Sequence, residues 1–343
     1  MLRCLQLARL GAGAVSPNPM VGAVLVHEGR IIGEGHHAAY GQPHAEVNCI
    51  ASVNVENQHL IGQSVLYVSL EPCAHFGKTP PCADLIVSKQ IARVVVACRD
   101  PFPEVDGRGI EKLQRAGTEV LVGVLEKEAS ELNRRFFLSQ RLHRPYVILK
   151  WAQSINGNIA ALDSSRVQIS NPISNRLVHK WRSQEDAILV GTTTALVDDP
   201  ALTVRLWKGR DPLRLVLDLD LRLPGHLKIF EPHGKIVVFN RLKDEQRGNC
   251  RFYKLKDEGN LVAEMLTAMH NLEIQSVLVE GGARLLQSFI DSGCWDEARV
   301  ISSGLLYISK GLAAPSLHGA DLRNRAKIMS DSIDYYRNHQ NSQ

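Results

Sequence analysis

No apolar stretch in this chain of 343 residues approaches the roughly 18 needed to span a bilayer, so no membrane partner is expected. The N-terminal ten residues are partly apolar, but Arg3 and Arg9 interrupt them, which suits an amphipathic helix better than a signal peptide. Excess charge is also lacking: 40 basic side chains against 36 acidic ones leave +4, too little to argue for nucleic acid as a partner. A disulfide framework is missing. The seven cysteines are odd in number and unpatterned except for one pair, which predicts reduced thiols and a cytoplasmic setting. There is no repeat or low-complexity tract. No Gly-x-Gly-x-x-Gly follows a strand-like run, so a Rossmann dinucleotide site is not supported.

What is present reads as an ordinary globular chain, 44% hydrophobic and 22% charged, with length comfortable for two cores. Strand-like and helix-like segments alternate. In the first half strands are expected at 21–26, 30–35, 65–70, 92–97 and 119–124. A helix is expected from Pro43, with proline at its first position, towards residue 53, and others at 82–87, 109–116 and 126–142. A break at His143-Arg144-Pro145 predicts two α/β domains, 1–143 and 144–343. Strands are expected in the second at 146–150, 187–191, 213–218, 235–239 and 276–280, with helices at 261–270 and 283–292. The tail 338–343 is expected to be disordered.

The chemistry concentrates in His44-Ala45-Glu46 and in the run from Glu71-Pro72-Cys73 to Pro80-Pro81-Cys82. One imidazole and two thiolates can hold Zn²⁺ and leave its fourth position open, the pattern of a catalytic rather than a structural ion. Cys82 stands where a helix should begin, and unpaired N–H groups there favour the thiolate. Two thiolates and a neutral imidazole balance the ion's charge, so water at the open position becomes a usable nucleophile near neutral pH. Glu46 is placed to move that water's protons. His-x-Glu followed by Pro-Cys is the outline of zinc-dependent base deaminases, but the wide Cys73–Cys82 spacing departs from their Cys-x-x-Cys. In the second half, Val279-Glu280-Gly281-Gly282-Ala283 is a strand ending in glycines that open a helix, a turn whose N–H groups can bind a diphosphate.

That wide spacing lies among longer runs. They are Pro17-Asn18-Pro19-Met20-Val21-Gly22-Ala23-Val24, Gly35-His36-His37, the whole of Glu71 to Cys82, Asp100-Pro101 and Gly107-Arg108-Gly109. Together they resemble the deaminase domain of the bifunctional riboflavin-biosynthesis deaminase/reductase family. Lys150-Trp151-Ala152-Gln153-Ser154-Ile155-Asn156-Gly157, the run from Asp186 to Thr194, and that from Asp198 to Arg205 resemble the family's reductase domain. The likeness covers nearly the whole chain. It implies a cytidine-deaminase-like α/β/α domain followed by a dihydrofolate-reductase-like α/β domain that uses NADPH.

By the same resemblance, His44, Cys73 and Cys82 hold zinc and Glu46 is catalytic, while Asn18, His37, His75 and Lys78 contact the pyrimidine and ribose phosphate. In the reductase, Ala152, Thr194, Asp198, Gly281 and Gly282 face the cofactor. Arg182, Leu202, Arg205 and Glu280 hold the substrate, the arginines serving its phosphate. The implied reactions are hydrolytic deamination of a diamino-(phosphoribosylamino)pyrimidinone and reduction of its ribosyl group to ribityl. Two departures point elsewhere. Arg166 and Gln168 replace the serine and tryptophan of a Gly-x-Ser-x-Trp run, and the segment 329–343 offers only a short polar Ile333-Asp334-Tyr335-Tyr336 where a closing strand is expected. The first predicts weaker NADPH binding or a phosphate contact from Arg166 instead; the second predicts an incomplete sheet edge covered by another subunit, hence a homo-oligomer. They also leave open an alternative, a deaminase whose reductase domain has decayed into a structural or substrate-binding module.

Overall fold

Glu28 and Gly29 both take positive φ, 46° and 78°, as a tight two-residue turn between twisted strands demands. The turn joins Gly22–His27 to Arg30–His36 in an antiparallel pair, the start of the first sheet. The chain divides into two units, Met1–His143 and Arg144–Gln343. In this computed structural model the described residues are 1–76, 80–102, 105–163, 167–232, 234–256 and 259–339. The positions of Lys78 and Arg166 therefore lie outside the described residues.

In the first unit, Gly22–His27 also pairs antiparallel with Val65–Val68, which runs parallel to Arg93–Val96, itself parallel to Glu119–Val122. Valines at alternate positions suit the pleated, half-buried surface, and Val94 and Val96 are fully buried in a core with Leu25, Leu66 and Ile86. The loops that leave the carboxyl ends of Val65–Val68 and Arg93–Val96 carry Cys73 and Asp100. Ligands of open α/β sheets bind at such ends.

The helix Ala45–Ala51 lies against the hairpin because Gly35 has no side chain. A Cβ there would stand 2.2 Å from the Cys49 backbone nitrogen and 2.5 Å from the Ala45 carbonyl oxygen. The helix starts at Ala45, not at Pro43 as expected: His44 is the N-cap, extended at φ −71° and ψ 168°. The Pro43 carbonyl serves the side chains of His37 and Asn48 instead of a helical bond. The expected helix 126–142 is two, Glu126–Leu132 and Arg134–Leu142. It breaks at Asn133, which is 2% exposed and turns its amide onto Met20: Oδ1 accepts from the Met20 N–H at 2.8 Å, and Nδ2 donates to the Met20 carbonyl at 2.9 Å.

The second unit is built on a ten-stranded sheet. Its central seven strands run parallel in the order Cys250–Lys254, Ile236–Asn240, Leu213–Leu217, Ala187–Gly191, Ser276–Val279, Tyr146–Gln153 and Glu297–Ser303. Parallel strands covered on both faces read as continuous apolar runs, and Val147, Leu189, Leu215, Val237 and Val277 pack with the helices Leu261–Asn271 and Ala283–Asp291.

The expectation of an incomplete edge is wrong. Asp331–Asn338 pairs antiparallel with Glu297–Ser303 along its whole length, and Ala320–Ile328 pairs with it in turn. Ile333 is fully buried, while much of the rest of these strands is polar and paired. Arg325 forms a two-pronged bond to Asp334 at 2.6 and 2.8 Å, Asp331 accepts from the Asn171 N–H, and Tyr335 meets Trp181 edge-on. The expected disorder fails at its start, since Asn338 is buried and its amide donates to the Gly293 and Trp295 carbonyls. Residues 340–343 lie outside the described residues. Among the described residues, no helix is long and apolar enough to cross a membrane.

Candidate active sites

Three segments meet in the first unit: the N-cap of Ala45–Ala51, the loop after Val65–Val68, and the start of Cys82–Ser88. They bring His44 Nδ1 to 3.6 Å from Cys73 Sγ and 3.4 Å from Cys82 Sγ. Ligands about 2.0 and 2.3 Å from a tetrahedral zinc stand roughly 3.5 Å apart, so this trio fits that ion. All three ligand atoms lie within 4.8 Å of one another. A hydrogen bond from the Cys82 thiol draws the Cys73 thiol well below its usual pKa against the opposing effect of burial, and His44 adds to the fall. The Cys82 N–H, at the helix start, also points at Cys73 Sγ at 3.3 Å. Cys73 is thus the thiolate of the pair, while that shared bond and burial push the Cys82 thiol up.

Glu46 is the second residue of the helix and is only 3% exposed. Burial pushes its carboxyl up to about 7, with the Cys73 charge adding. These groups line a cavity of about 360 Å³ that also presents Asn18, His37, His75 and Asp100. His37 is fixed at both ring nitrogens. Nδ1 lies 3.1 Å from the Pro43 carbonyl and must donate to it, so Nε2 accepts from Asn18 Nδ2 at 3.2 Å. Burial lowers its pKa, which keeps it neutral. His75, which lines the cavity, has its Nδ1 buried without a hydrogen-bond partner among the described residues.

Asp100 was not among the sequence-derived site residues, although it belongs to the Asp100-Pro101 pair noted there. Its carboxyl is pushed up to about 7 by burial, with Glu71 and Cys73 adding. Glu71 anchors that wall. Its carboxylate accepts four backbone N–H groups, from Asp100, Gly107, Gly109 and Ile110, at 3.0–3.3 Å.

In the second unit, the end of Ser276–Val279 delivers Glu280 to Arg182 of the helix Pro172–Gln184, with two bonds of 2.7 and 2.8 Å. Lys150 stands 3.6 Å from the same carboxylate. Burial alone would raise the Glu280 pKa, but Arg182 and Lys150 outweigh it and hold it at about 2. Arg182 also donates to the Thr203 carbonyl at 3.2 Å, tying it to the segment that holds Leu202 and Arg205. Leu202 is buried in the core. Gly281 and Gly282 lie against Thr194: a Cβ on Gly282 would come within 3.0 Å of its Oγ1. The two glycines thereby bring their backbone close to Thr194 at the N-terminus of Ala283–Asp291. Ala152 lies two residues beyond Lys150 on the same strand, and Asp198 ends the helix Thr192–Asp198 that begins beside Gly191. Gln168 is exposed. Lys150 and His179, which line this cluster, were not singled out in the sequence.

The family model described as the cytidine and deoxycytidylate deaminase zinc-binding region matches residues 1–98, and that of the RibD C-terminal domain matches 145–306. The chain is 38% identical to the riboflavin biosynthesis protein RibD of Aquifex aeolicus, over 97% of this chain and 94% of that one. The chain belongs to the RibD family. Against the RibD of Chlamydia pneumoniae the identity is 43%, over 97% of this chain and 88% of the other. A solved deaminase/reductase from Thermotoga maritima superposes with a TM-score of 0.89 at 36% identity, covering 98% of this chain and 97% of that one. As a RibD-family member, the chain is a bifunctional enzyme of riboflavin biosynthesis. It carries a cytidine-deaminase-like, zinc-dependent deaminase and a dihydrofolate-reductase-like, NADPH-dependent reductase acting on a small pyrimidine.

Proposed function

We propose that the cavity of the first unit takes the aminopyrimidine ring beside Glu46, with the ribose phosphate towards His75 and Lys78. The ring is that of diaminohydroxyphosphoribosylaminopyrimidine, the compound named for the Thermotoga enzyme. His44, Cys73 and Cys82 hold the zinc, which when bound supplies a water activated for attack on the amino-bearing ring carbon. Glu46 takes one proton of that water and passes it to the ring nitrogen, then carries the water's second proton to the amino group, which departs as ammonia. His37, neutral and held by Pro43, fixes Asn18 so that its Oδ1 can accept from an amino group of the ring. The observation that carries this reading is a His–Cys–Cys trio whose His44 and Cys73, with the buried Glu46 carboxyl, line a cavity of about 360 Å³.

In the second unit Thr194, Gly281 and Gly282 cradle the NADPH diphosphate, with Ala152 and Asp198 beside the cofactor; NADPH supplies the hydride. Arg205 and Arg182 meet the phosphate of the deaminated substrate, Glu280 orients Arg182, and Leu202 shapes the wall. No nucleophile is needed, because hydride transfer asks mainly for alignment. The alternative of a decayed reductase loses its main ground, since Asp331–Asn338 forms a full strand beside Glu297–Ser303 and Ala320–Ile328 adds a further one outside it.

The setting we assign is the cytoplasm, since all seven cysteines are free. We assign a homo-oligomer because Ala320–Ile328 is an open outer strand of the sheet. A net charge of +4 gives no reason to add nucleic acid or a membrane as partner. Ammonia release and NADPH absorbance on the purified chain test the two sites. Glu46→Gln should lose deamination by at least about 100-fold and keep reduction. Arg205→Ala should do the reverse. Deamination within tenfold of wild type in Glu46→Gln would overturn the assignment of Glu46.

A further inference from the structure

The segment Leu202–Arg205 carries no regular structure, yet its backbone is tied at almost every residue. Leu202 takes a left-handed φ of 54°, a costly conformation for a bulky side chain, and its side chain is buried. The Thr203 carbonyl accepts from Arg182, and the Val204 N–H donates to Asp211 Oδ1 at 2.6 Å. The Arg205 N–H donates to His179 Nδ1 at 3.2 Å. His179 precedes Arg182 by three residues on one face of the helix Pro172–Gln184.

We propose that His179 is a positioning residue of the reductase site: its neutral ring holds the Arg205 backbone so that the guanidinium is pre-set for the substrate's phosphate. The proposal rests on the reading of Arg205 as a phosphate contact. Only a neutral imidazole can do this, because the protonated ring has no acceptor. Burial, then the nearby charges of Arg182 and Arg205, lower the His179 pKa to about 4, so the ring stays neutral at ordinary pH. The acceptor at Nδ1 leaves the proton on Nε2. A lysine or arginine at 179 would instead put a third cation here without the acceptor.

The test uses the full chain with deaminated, phosphorylated substrate and NADPH, and takes ammonia release by the first unit as the control for an intact protein. His179→Leu should raise KM for this substrate about tenfold, on the scale of one lost hydrogen bond in a half-buried setting, with kcat and the KM for NADPH within twofold. His179→Asn, which restores an acceptor near Nδ1, should recover most of that loss. With the dephosphorylated substrate, His179→Leu and wild type should converge, since Arg205 then has nothing to hold. Unchanged KM in His179→Leu, while Arg205→Ala raises it, would overturn the positioning role. So would a loss of kcat and NADPH binding in both His179 variants, which would mark a merely structural residue. If Arg205→Ala itself leaves KM unchanged, the phosphate reading beneath the proposal fails instead.

Discussion

Replacing Glu71 by glutamine removes one oxygen and one charge while keeping the volume. In the structure Oε1 accepts from Gly109 and Ile110 at 3.0 and 3.2 Å, and Oε2 from Asp100 and Gly107 at 3.3 and 3.1 Å. Gly109 and Ile110 belong to the first turn of the helix Arg108–Arg115, whose N–H groups have no partner within the helix. Glutamine can satisfy one pair, but its NH₂ must then face the other two donors. Each buried N–H without an acceptor costs about 1–3 kcal/mol, so the change should destabilise the first unit by roughly 4 kcal/mol. A single domain commonly has about 5–15 kcal/mol to lose. The four tryptophans, Trp151, Trp181, Trp207 and Trp295, all lie in the second unit, so their fluorescence reports that unit alone. In urea series, deamination and zinc retention should fail at much lower concentration in Glu71→Gln, while the tryptophan transition stays in place. A deamination midpoint displaced by the equivalent of less than about 1 kcal/mol would refute the reasoning, because it would mean the four N–H groups find other acceptors.

Glu280 gives a pH signature to the second unit. Its folded pKa of about 2 lies below the ordinary 4.5, so its contribution is complete above about pH 4.5 and is lost as pH falls towards 2. Tryptophan-detected stability should decline over that window by an amount on the order of 3 kcal/mol, and Glu280→Gln should flatten the decline. A wild-type profile that is level there, or unchanged by the substitution, would contradict the pairing. Gly35→Ala should push the helix Ala45–Ala51 off the hairpin, because the new Cβ meets the Cys49 nitrogen at 2.2 Å. Zinc content and deamination should both drop at least tenfold with reduction retained; a fully zinc-loaded, active variant would show that the helix can shift without harm.

The residues legible in the sequence were those whose type is dictated by chemistry. Metal ligation needs an imidazole and thiolates, so His44, Cys73 and Cys82 stand out at any fold, and the Glu28-Gly29 turn announces its hairpin by conformation. What stayed hidden were side chains whose partners are distant in the chain. Nothing near Glu71 in sequence reveals that its acceptors serve N–H groups 29 to 39 positions away. His179 within a helix reads like any core histidine until Arg205 is seen to lie on it. The terminal strands are hard to read because their hydrophobic alternation is weak: beside the buried Ile333, Asp331 takes a backbone N–H and Asp334 pairs with Arg325.

Asn133 grips Met20 as a neighbouring strand would, accepting from its N–H and donating to its carbonyl with a single side chain. Met20 lies two residues beyond Asn18, so the wall of the first cavity is fastened by a residue 113 positions downstream. The zinc-binding signature ends at residue 98, but Gln140 still lines the same cavity. A gene fragment chosen by that signature alone would keep every zinc ligand and discard the clasp on the loop beside them. For anyone grafting or trimming this deaminase, the functional module is therefore longer than its recognisable motif.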